Sequence, residues 1–95
     1  MAKVGWIDTH THLAYHEVDK LDENIAYALD HDIQDIVSIA LTEEEYNFHT
    51  ILSDRYHRLR IHSTCGAHPA DVYKWSEIKF NSFIKKLETM NIVGI

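Results

Sequence analysis

The chain has 95 residues and a formal net charge of −6 at pH 7, with 45% hydrophobic and 25% charged residues. This composition is that of an ordinary soluble globular protein, and no apolar run approaches the roughly 18 residues that a membrane-spanning helix needs. A negatively charged chain also argues against a basic surface that grips nucleic acid regardless of sequence, since such a surface needs clustered Lys and Arg. We therefore predict a single domain over residues 1–95.

The opening residues predict a cytoplasmic protein, and the cysteine content excludes two kinds of structural site. The first six residues contain no apolar stretch of signal-peptide length. Cys65 is the only cysteine in the sequence, which excludes an internal disulfide and a Cys-x-x-Cys zinc knuckle. We expect Cys65 to be a small buried residue.

Short apolar runs alternate along the chain with amphipathic stretches. Strands are predicted over residues 4–8, 35–41 and 59–65, and a fourth apolar run opens at 91–95. Helices are predicted from about residue 21 to 33, from 42 through 56, and over 78–87, because apolar residues there recur at the spacing of one buried helix face. Residues 16–20 are polar and predict a loop.

The expected helix starts carry capping residues. Thr42 with Glu45 three residues later matches a capping box, and Asp19 or Asp22 is the candidate cap of the first helix. The order strand, helix, strand, helix, strand, helix, strand with short connections predicts an α/β fold with a parallel sheet and right-handed crossovers. In such folds the loops after the carboxyl ends of the strands carry the chemistry.

The end of the first predicted strand carries a candidate metal site. Asp8, His10 and His12 are each two residues apart, so a regular strand would point all three side chains to one face. Neutral imidazoles bind divalent metals, and a carboxylate beside them either binds the ion or orients an imidazole from behind. The alternative interpretation is an exposed strand end with two solvated histidines.

A further histidine follows the third predicted strand. Gly66, Ala67, His68 and Pro69 come directly after it, so His68 would lie at the same rim as His10 and His12. Proline biases the preceding residue towards an extended conformation, which keeps His68 out of a following helix. A plain turn is the alternative interpretation of this segment.

Other polar residues give weaker signals. Five histidines lack a comparable spacing and are interpreted as surface or helix-face residues, with the first of them the best candidate for the rim: His16, His31, His49, His57 and His62. Three lysines, Lys74, Lys79 and Lys85, fit an ordinary solvated helix face better than a basic patch. No motif indicates a covalent nucleophile.

These motifs together resemble the opening of TatD-family metal-dependent hydrolases. The resemblance lies in Asp-Thr-His-Thr-His-Leu at residues 8–13, Gly-Ala-His-Pro at 66–69 and Asn-Ile-Val-Gly-Ile at 91–95. The His-x-His motif is shared with the wider amidohydrolase superfamily and with PHP-type phosphoesterases, whereas Gly-x-His-Pro singles out TatD. The resemblance covers the whole chain and implies the N-terminal half of a (β/α)8 TIM barrel.

The resemblance also implies a function and a set of site residues. Such enzymes bind one or two divalent ions (Zn, Mn, Mg or similar) and hydrolyse phosphodiesters, often as DNases. It implies that His10 and His12 are metal ligands and that His68 lines the pocket and faces the substrate phosphate or a bound water. Asp8, from its spacing, is expected to support the two ligands from behind. DNA or another phosphodiester is the implied substrate.

The sequence departs from the family pattern in two residues and in length. Family members often carry Asp where this chain has Ala14 and Gly where it has Asp32; neither position is a ligand, and we interpret both as variation. A β/α barrel needs roughly 250 residues, and the family's metal-bridging glutamate would come almost directly after Ile95. We therefore expect residues 1–95 to be the N-terminal portion of a longer hydrolase, truncated at the start of the fourth strand.

A half-barrel alone would have unpaired edges and an open sheet face. We expect the isolated chain to self-associate through these edges or to need a longer parent chain, to bind metal weakly and to be inactive. Two alternatives stay open at this point: an amidohydrolase-type enzyme that cleaves C–N bonds, and a truncated remnant without catalysis.

Overall fold

The computed structural model describes residues 5–95, which alternate strands and helices as predicted. In chain order the elements are β1 (Trp6–Thr11), a 3₁₀ turn (Leu13–Tyr15), α1 (Val18–Asp30), β2 (Ile33–Ala40), α2 (Glu43–Arg55), β3 (Arg60–Cys65), α3 (Pro69–Val72) and α4 (Glu77–Leu87). Val4, where the first strand was predicted to begin, lies outside the described residues. None of the helices in the described part of the chain is long and apolar enough to cross a membrane.

The three strands form one parallel sheet in the order β1-β2-β3. Beyond α4 the chain returns to this sheet, where Gly94 forms a parallel bridge with Thr64 and the Val93 N–H donates to the Ser63 carbonyl at 2.8 Å. A fourth strand therefore begins beside β3, where the apolar run 91–95 predicted one. Parallel strands that alternate with helices and are added at one edge are the architecture of the N-terminal part of a TIM barrel.

One face of the sheet is packed and the other is open. On β2 the packed face carries Ile36, Ser38 and Ala40, all buried. The larger core cluster lies between this face and the helices and consists of Leu13, Leu21, Ile25, Ile36, Leu52 and Leu59. A second cluster, of Ala40, Cys65 and Leu87, anchors α4. Cys65 is therefore a buried core residue, as predicted.

The strand β1 packs much less well than its neighbours. The side chains of Trp6 and Ile7 are 68% and 61% exposed, although both are large and apolar. In a closed barrel, the first strand pairs with the last one and its inner face is covered by the other strands. The exposure of β1 is thus the expected consequence of an open sheet edge.

The start of the first helix differs from the prediction. Helix α1 begins at Val18, so the predicted loop over 16–20 is wrong over its second half. Its N-cap is Glu17, without a side-chain cap, and neither Asp19 nor Asp22 occupies that position. The first turn is polar, so its apolar periodicity becomes visible only at Leu21.

The predicted cap of α2 by Thr42 is confirmed, and the reciprocal contact of the capping box is shifted by one residue. The Thr42 hydroxyl accepts a hydrogen bond from the Glu45 N–H at 3.1 Å. The Glu45 carboxylate reaches back to the N–H of Leu41 at 2.7 Å, one residue before the position that a regular capping box uses. This contact fixes the loop that leads from β2 into α2.

Asp32, in the tight turn from α1 to β2, has a φ of 63°. This left-handed conformation costs most L-residues roughly 1–2 kcal/mol and costs glycine nothing. Asp is among the few other residues that tolerate it. The position where the resembling family has Gly is therefore one where the backbone favours Gly, and Asp32 is a tolerated replacement.

A charged cluster lies on the open face near the amino ends of β2 and β3. The Asp35 carboxylate accepts two hydrogen bonds from the Arg60 guanidinium, both at 2.7 Å, and one from His62 Nε2 at 2.9 Å. These hydrogen bonds, with those from Arg60 contributing most, lower the pKa of Asp35 from 3.8 to about 2. The parallel register, which pairs Asp35 with Arg60, places these groups side by side.

This cluster predicts a pH-dependent stability. A carboxyl group whose pKa is lower in the folded state stabilises the fold fully above its unfolded pKa, and this contribution is lost as the pH falls through the folded pKa. We expect Asp35→Asn to lower the urea midpoint of unfolding at pH 5 and to lose its disadvantage progressively between about pH 4 and pH 2. Asp54→Asn, at an exposed carboxylate of α2, is the control; a difference for Asp35→Asn that stays constant with pH would contradict the prediction.

Candidate metal centre

The carboxyl end of β1 brings two imidazole rings together. The ring centroids of His10 and His12 are 5.3 Å apart, and the rings meet edge to face with an interplanar angle of 69°. His10 lies within the strand, and His12 follows its last residue, Thr11. Imidazole nitrogens are among the groups that bind divalent cations in proteins, so this pair is a candidate for such a site.

Asp8 contacts the backbone of this segment. Its carboxylate accepts a hydrogen bond from the N–H of His10 at 3.0 Å. The strand has a register shift between Asp8, which pairs with Ile36, and Thr11, which pairs with Ser38. Since Ile36 and Ser38 lie on the same face, the strict alternation predicted for Asp8, His10 and His12 is interrupted by a bulge.

The ring of His12 stacks on a neighbouring tyrosine, and one of its two nitrogens has no hydrogen-bond partner among the described residues. The ring of Tyr15 stacks on it at a centroid distance of 5.1 Å and an angle of 8°. Its Nδ1 is buried and has no hydrogen-bond partner among residues 5–95. A buried polar atom without a partner costs free energy, so a native structure normally gives it one. An unpaired ring nitrogen beside a second imidazole fits a site that binds a further group.

The described residues do not form a complete metal site. Within residues 5–95 no group of three or more His, Cys, Asp or Glu side chains is arranged to hold a metal ion. Catalytic zinc sites generally use three protein ligands and a water. The pair of His10 and His12 therefore fits a divalent cation in ligand type but falls short in ligand number.

His68 has a structural role at the same end of the sheet. It follows the carboxyl end of β3 and is the N-cap of the short helix α3, where its Nδ1 accepts a hydrogen bond from the N–H of Ala70 at 3.0 Å. Its side chain is exposed. No ring contact or hydrogen bond among the described residues joins His68 to His10 or His12. The three histidines thus follow the carboxyl ends of β1 and β3, and only His10 and His12 lie in contact.

Helix α2 contacts the site through Tyr15. Burial raises the pKa of the Tyr15 hydroxyl, and the nearby Glu45 carboxylate raises it further through its charge and a hydrogen bond. Glu45 lies in the first turn of α2 and also fixes Leu41. The tyrosine that stacks on His12 is therefore connected to the start of this helix.

The sequence analysis missed His49, which is completely buried. Its Nε2 lies 2.8 Å from the Ser38 hydroxyl and its Nδ1 lies 3.0 Å from the Ser63 hydroxyl. Burial lowers the pKa of His49, an effect that the charge of Glu45 opposes. The helical spacing of His49, Leu52 and Tyr56 on one face was the signal that would have shown this burial.

Two other histidines lie away from the pair. His62, predicted to be a surface or helix-face residue, is on β3 and hydrogen-bonds Asp35. His16, the predicted rim residue, is half-buried, and its Nδ1 accepts a hydrogen bond from the Asn24 side-chain amide at 3.1 Å.

Comparison with known proteins gives one informative result. The sequence model of the TatD related DNase family matches residues 7–95. No curated protein matches the sequence significantly.

Proposed function

The chain belongs to the TatD related DNase family, and on this basis we propose that it is part of a divalent-metal-dependent hydrolase that cleaves phosphodiester bonds in DNA. The observation that carries the proposal is the pair of imidazoles at the carboxyl end of β1, whose ring centroids are 5.3 Å apart. In β/α barrels the active site lies at the carboxyl ends of the strands.

In this proposal His10 and His12 hold the cation. Their imidazole nitrogens suit Zn, Mn, Co or Fe better than the all-oxygen shell that Mg favours. Asp8 supports them by holding the backbone N–H of His10 at 3.0 Å. When bound, a divalent cation supplies Lewis acidity, which activates a water molecule and neutralises charge on the phosphate.

His68 is the proposed catalytic residue of this part of the site. Its Nδ1 accepts a hydrogen bond from the N–H of Ala70. A neutral ring in this arrangement carries its proton on Nε2. The ring thus presents an N–H donor at the rim, and a donor is what the negatively charged oxygens of a phosphodiester require. Its orientation is fixed by the cap, which leaves Nε2 for the substrate.

Residues outside 5–95 complete the proposed site. Two imidazoles leave a catalytic cation with fewer protein ligands than such sites use, and the described residues offer no third ligand beside them. We therefore propose that residues 1–95 alone bind divalent metal weakly and hydrolyse little, and that the product of the complete gene is the active enzyme.

A choice between substrates tests the function. We expect the product of the complete gene, supplied with Mn²⁺ or Zn²⁺, to shorten end-labelled single-stranded DNA and to leave a cyclic amide intact. The amide is the substrate class of the alternative, a C–N hydrolase of the wider superfamily. Cleavage of the amide without cleavage of DNA would overturn the phosphodiesterase proposal, and cleavage of neither would favour a remnant without catalysis.

A further inference from the structure

A chain of buried polar side chains lies beneath the end of β1. His49 of α2 lies between the hydroxyls of Ser38 on β2 and Ser63 on β3, at 2.8 and 3.0 Å. The three residues are 0%, 0% and 7% exposed, in that order. Burying polar groups is costly unless they are paired, and here both nitrogens of the imidazole have partners. The trio therefore forms a complete network inside an otherwise apolar core.

This network ends on the backbone of the candidate metal site. The N–H of Leu13 donates to the Ser38 hydroxyl at 3.1 Å. Leu13 directly follows His12 and is itself 2% exposed. It is also the first residue of the 3₁₀ turn, whose N-cap, His12, provides no side-chain hydrogen bond. The first N–H groups of a helical turn have no partner within it, and Ser38 supplies one from the neighbouring strand.

The position of this contact determines what it restrains. His12 has Thr11 before it, paired with Ser38 through the sheet register, and Leu13 after it, bonded to the hydroxyl of the same serine. One residue of β2 thus fixes the backbone on both sides of His12. The backbone direction at His12 sets where its imidazole lies relative to His10.

We propose that the Ser38–His49–Ser63 network positions the metal-binding end of β1, with His49 acting on His12 through Ser38. This inference rests on the proposed function, because it assigns the network a role in cation binding at His10 and His12. His49 is a positioning residue in this scheme and touches neither cation nor substrate. Groups that orient metal ligands from behind typically change metal affinity 10–100-fold when they are removed.

Two matched serine substitutions separate positioning from general stability. Ser38→Ala and Ser63→Ala each remove one buried hydroxyl from His49, but only Ser38→Ala also releases the Leu13 N–H. In the product of the complete gene, titrated with Mn²⁺, we expect Ser38→Ala to weaken binding by about tenfold or more. Ser63→Ala is expected to change binding less than about threefold, although both variants lose resistance to urea.

Amide hydrogen exchange gives a readout that does not depend on the metal. We expect the Leu13 amide to lose protection in Ser38→Ala and to keep it in Ser63→Ala, each compared with the amides of α1 in the same variant. For His49 itself, Gln offers a polar group that can reach Ser38, whereas Leu fills the space without one. Metal affinity should therefore fall less in His49→Gln than in His49→Leu.

The outcomes distinguish this inference from the proposed function. If wild-type protein binds Mn²⁺ and Ser38→Ala binds it equally well, or if both serine variants weaken binding equally, the positioning role is overturned and the metal site stands. If the wild-type product of the complete gene binds no divalent metal, the proposed site and the positioning role both fail. Selective weakening in Ser38→Ala with selective loss of Leu13 protection supports the inference.

Discussion

Replacing His10 and His12 together by alanine is expected to lower the affinity for Zn²⁺ and Mn²⁺ more than about 100-fold. Removal of a group that merely orients a metal ligand already costs about 10–100-fold, and this double variant removes two proposed ligands themselves. Both side chains are at least partly accessible, so the substitutions should leave the core intact. Isothermal titration of each metal into the product of the complete gene, as wild type and as the double variant, measures the difference.

A second double variant controls for the loss of two histidines. His31→Ala with His57→Ala removes two exposed imidazoles from outside the candidate site and should leave the affinity unchanged. Equal affinity in wild type and in the His10, His12 variant would show that any metal bound by the protein is held elsewhere. Binding by the product of the complete gene and not by residues 1–95 would show that ligands outside the described residues are required.

The double variant should also abolish hydrolysis of DNA by the product of the complete gene. In the proposed function a bound cation would activate the attacking water. Loss of the residues that would hold the cation removes this activation. If excess Mn²⁺ restores hydrolysis by the double variant, the remaining residues of the site still bind the cation weakly. Full activity in the variant at low metal concentration would contradict the assignment of His10 and His12.

The alternation of strands and helices was predictable because short stretches of the sequence determine it. The β-branched run of β2 and the apolar spacing of α1 and α4 are properties of a few consecutive residues. Helix boundaries were less predictable where the first turn is polar, as at Val18. The helix α3 was missed because four residues are too few to show a period, although Pro69 at its first turn is a typical helix-start residue.

The candidate site was predictable in its composition and less so in its geometry. His10 and His12 are recognisable from sequence, and the structure brings their rings to 5.3 Å. The bulge between Asp8 and Thr11 was not predictable, because it is a property of the pairing between β1 and β2. Strand register depends on both partners, and a sequence shows only one of them at a time.

The burial of His49 shows why polar core residues escape sequence analysis. A histidine within a helix that also carries many charged residues is typical of a solvated face. Burial of His49 is favourable only because Ser38 and Ser63, on two adjacent strands, place a hydroxyl within hydrogen-bond distance of each ring nitrogen. The helical spacing of His49 indicates which face of α2 it lies on. The match with two serines depends on three elements that are distant in sequence, so local patterns do not reveal these partners.

Substitution of His68 should separate its two roles, since its two nitrogens do different things. Nδ1 caps α3 by accepting the Ala70 N–H, and Nε2 is the proposed donor to the substrate. Asn places an acceptor near the position of Nδ1 but has no group that reaches as far as Nε2. Gln reaches that far with its amide but no longer places an acceptor at the position of the cap.

We therefore expect His68→Asn to keep the stability of the protein and to lower the rate of DNA hydrolysis about 100-fold, the effect of losing one positioned donor to a transition-state oxygen. His68→Gln should lose about 1 kcal/mol of stability, the typical value of a helix cap, and retain more activity than the Asn variant. Initial rates of hydrolysis and urea unfolding of the product of the complete gene measure the two effects. If His68→Asn is as active as wild type, His68 is only a cap and another group faces the phosphate; if its metal affinity falls as well, His68 acts on the cation and not on the substrate.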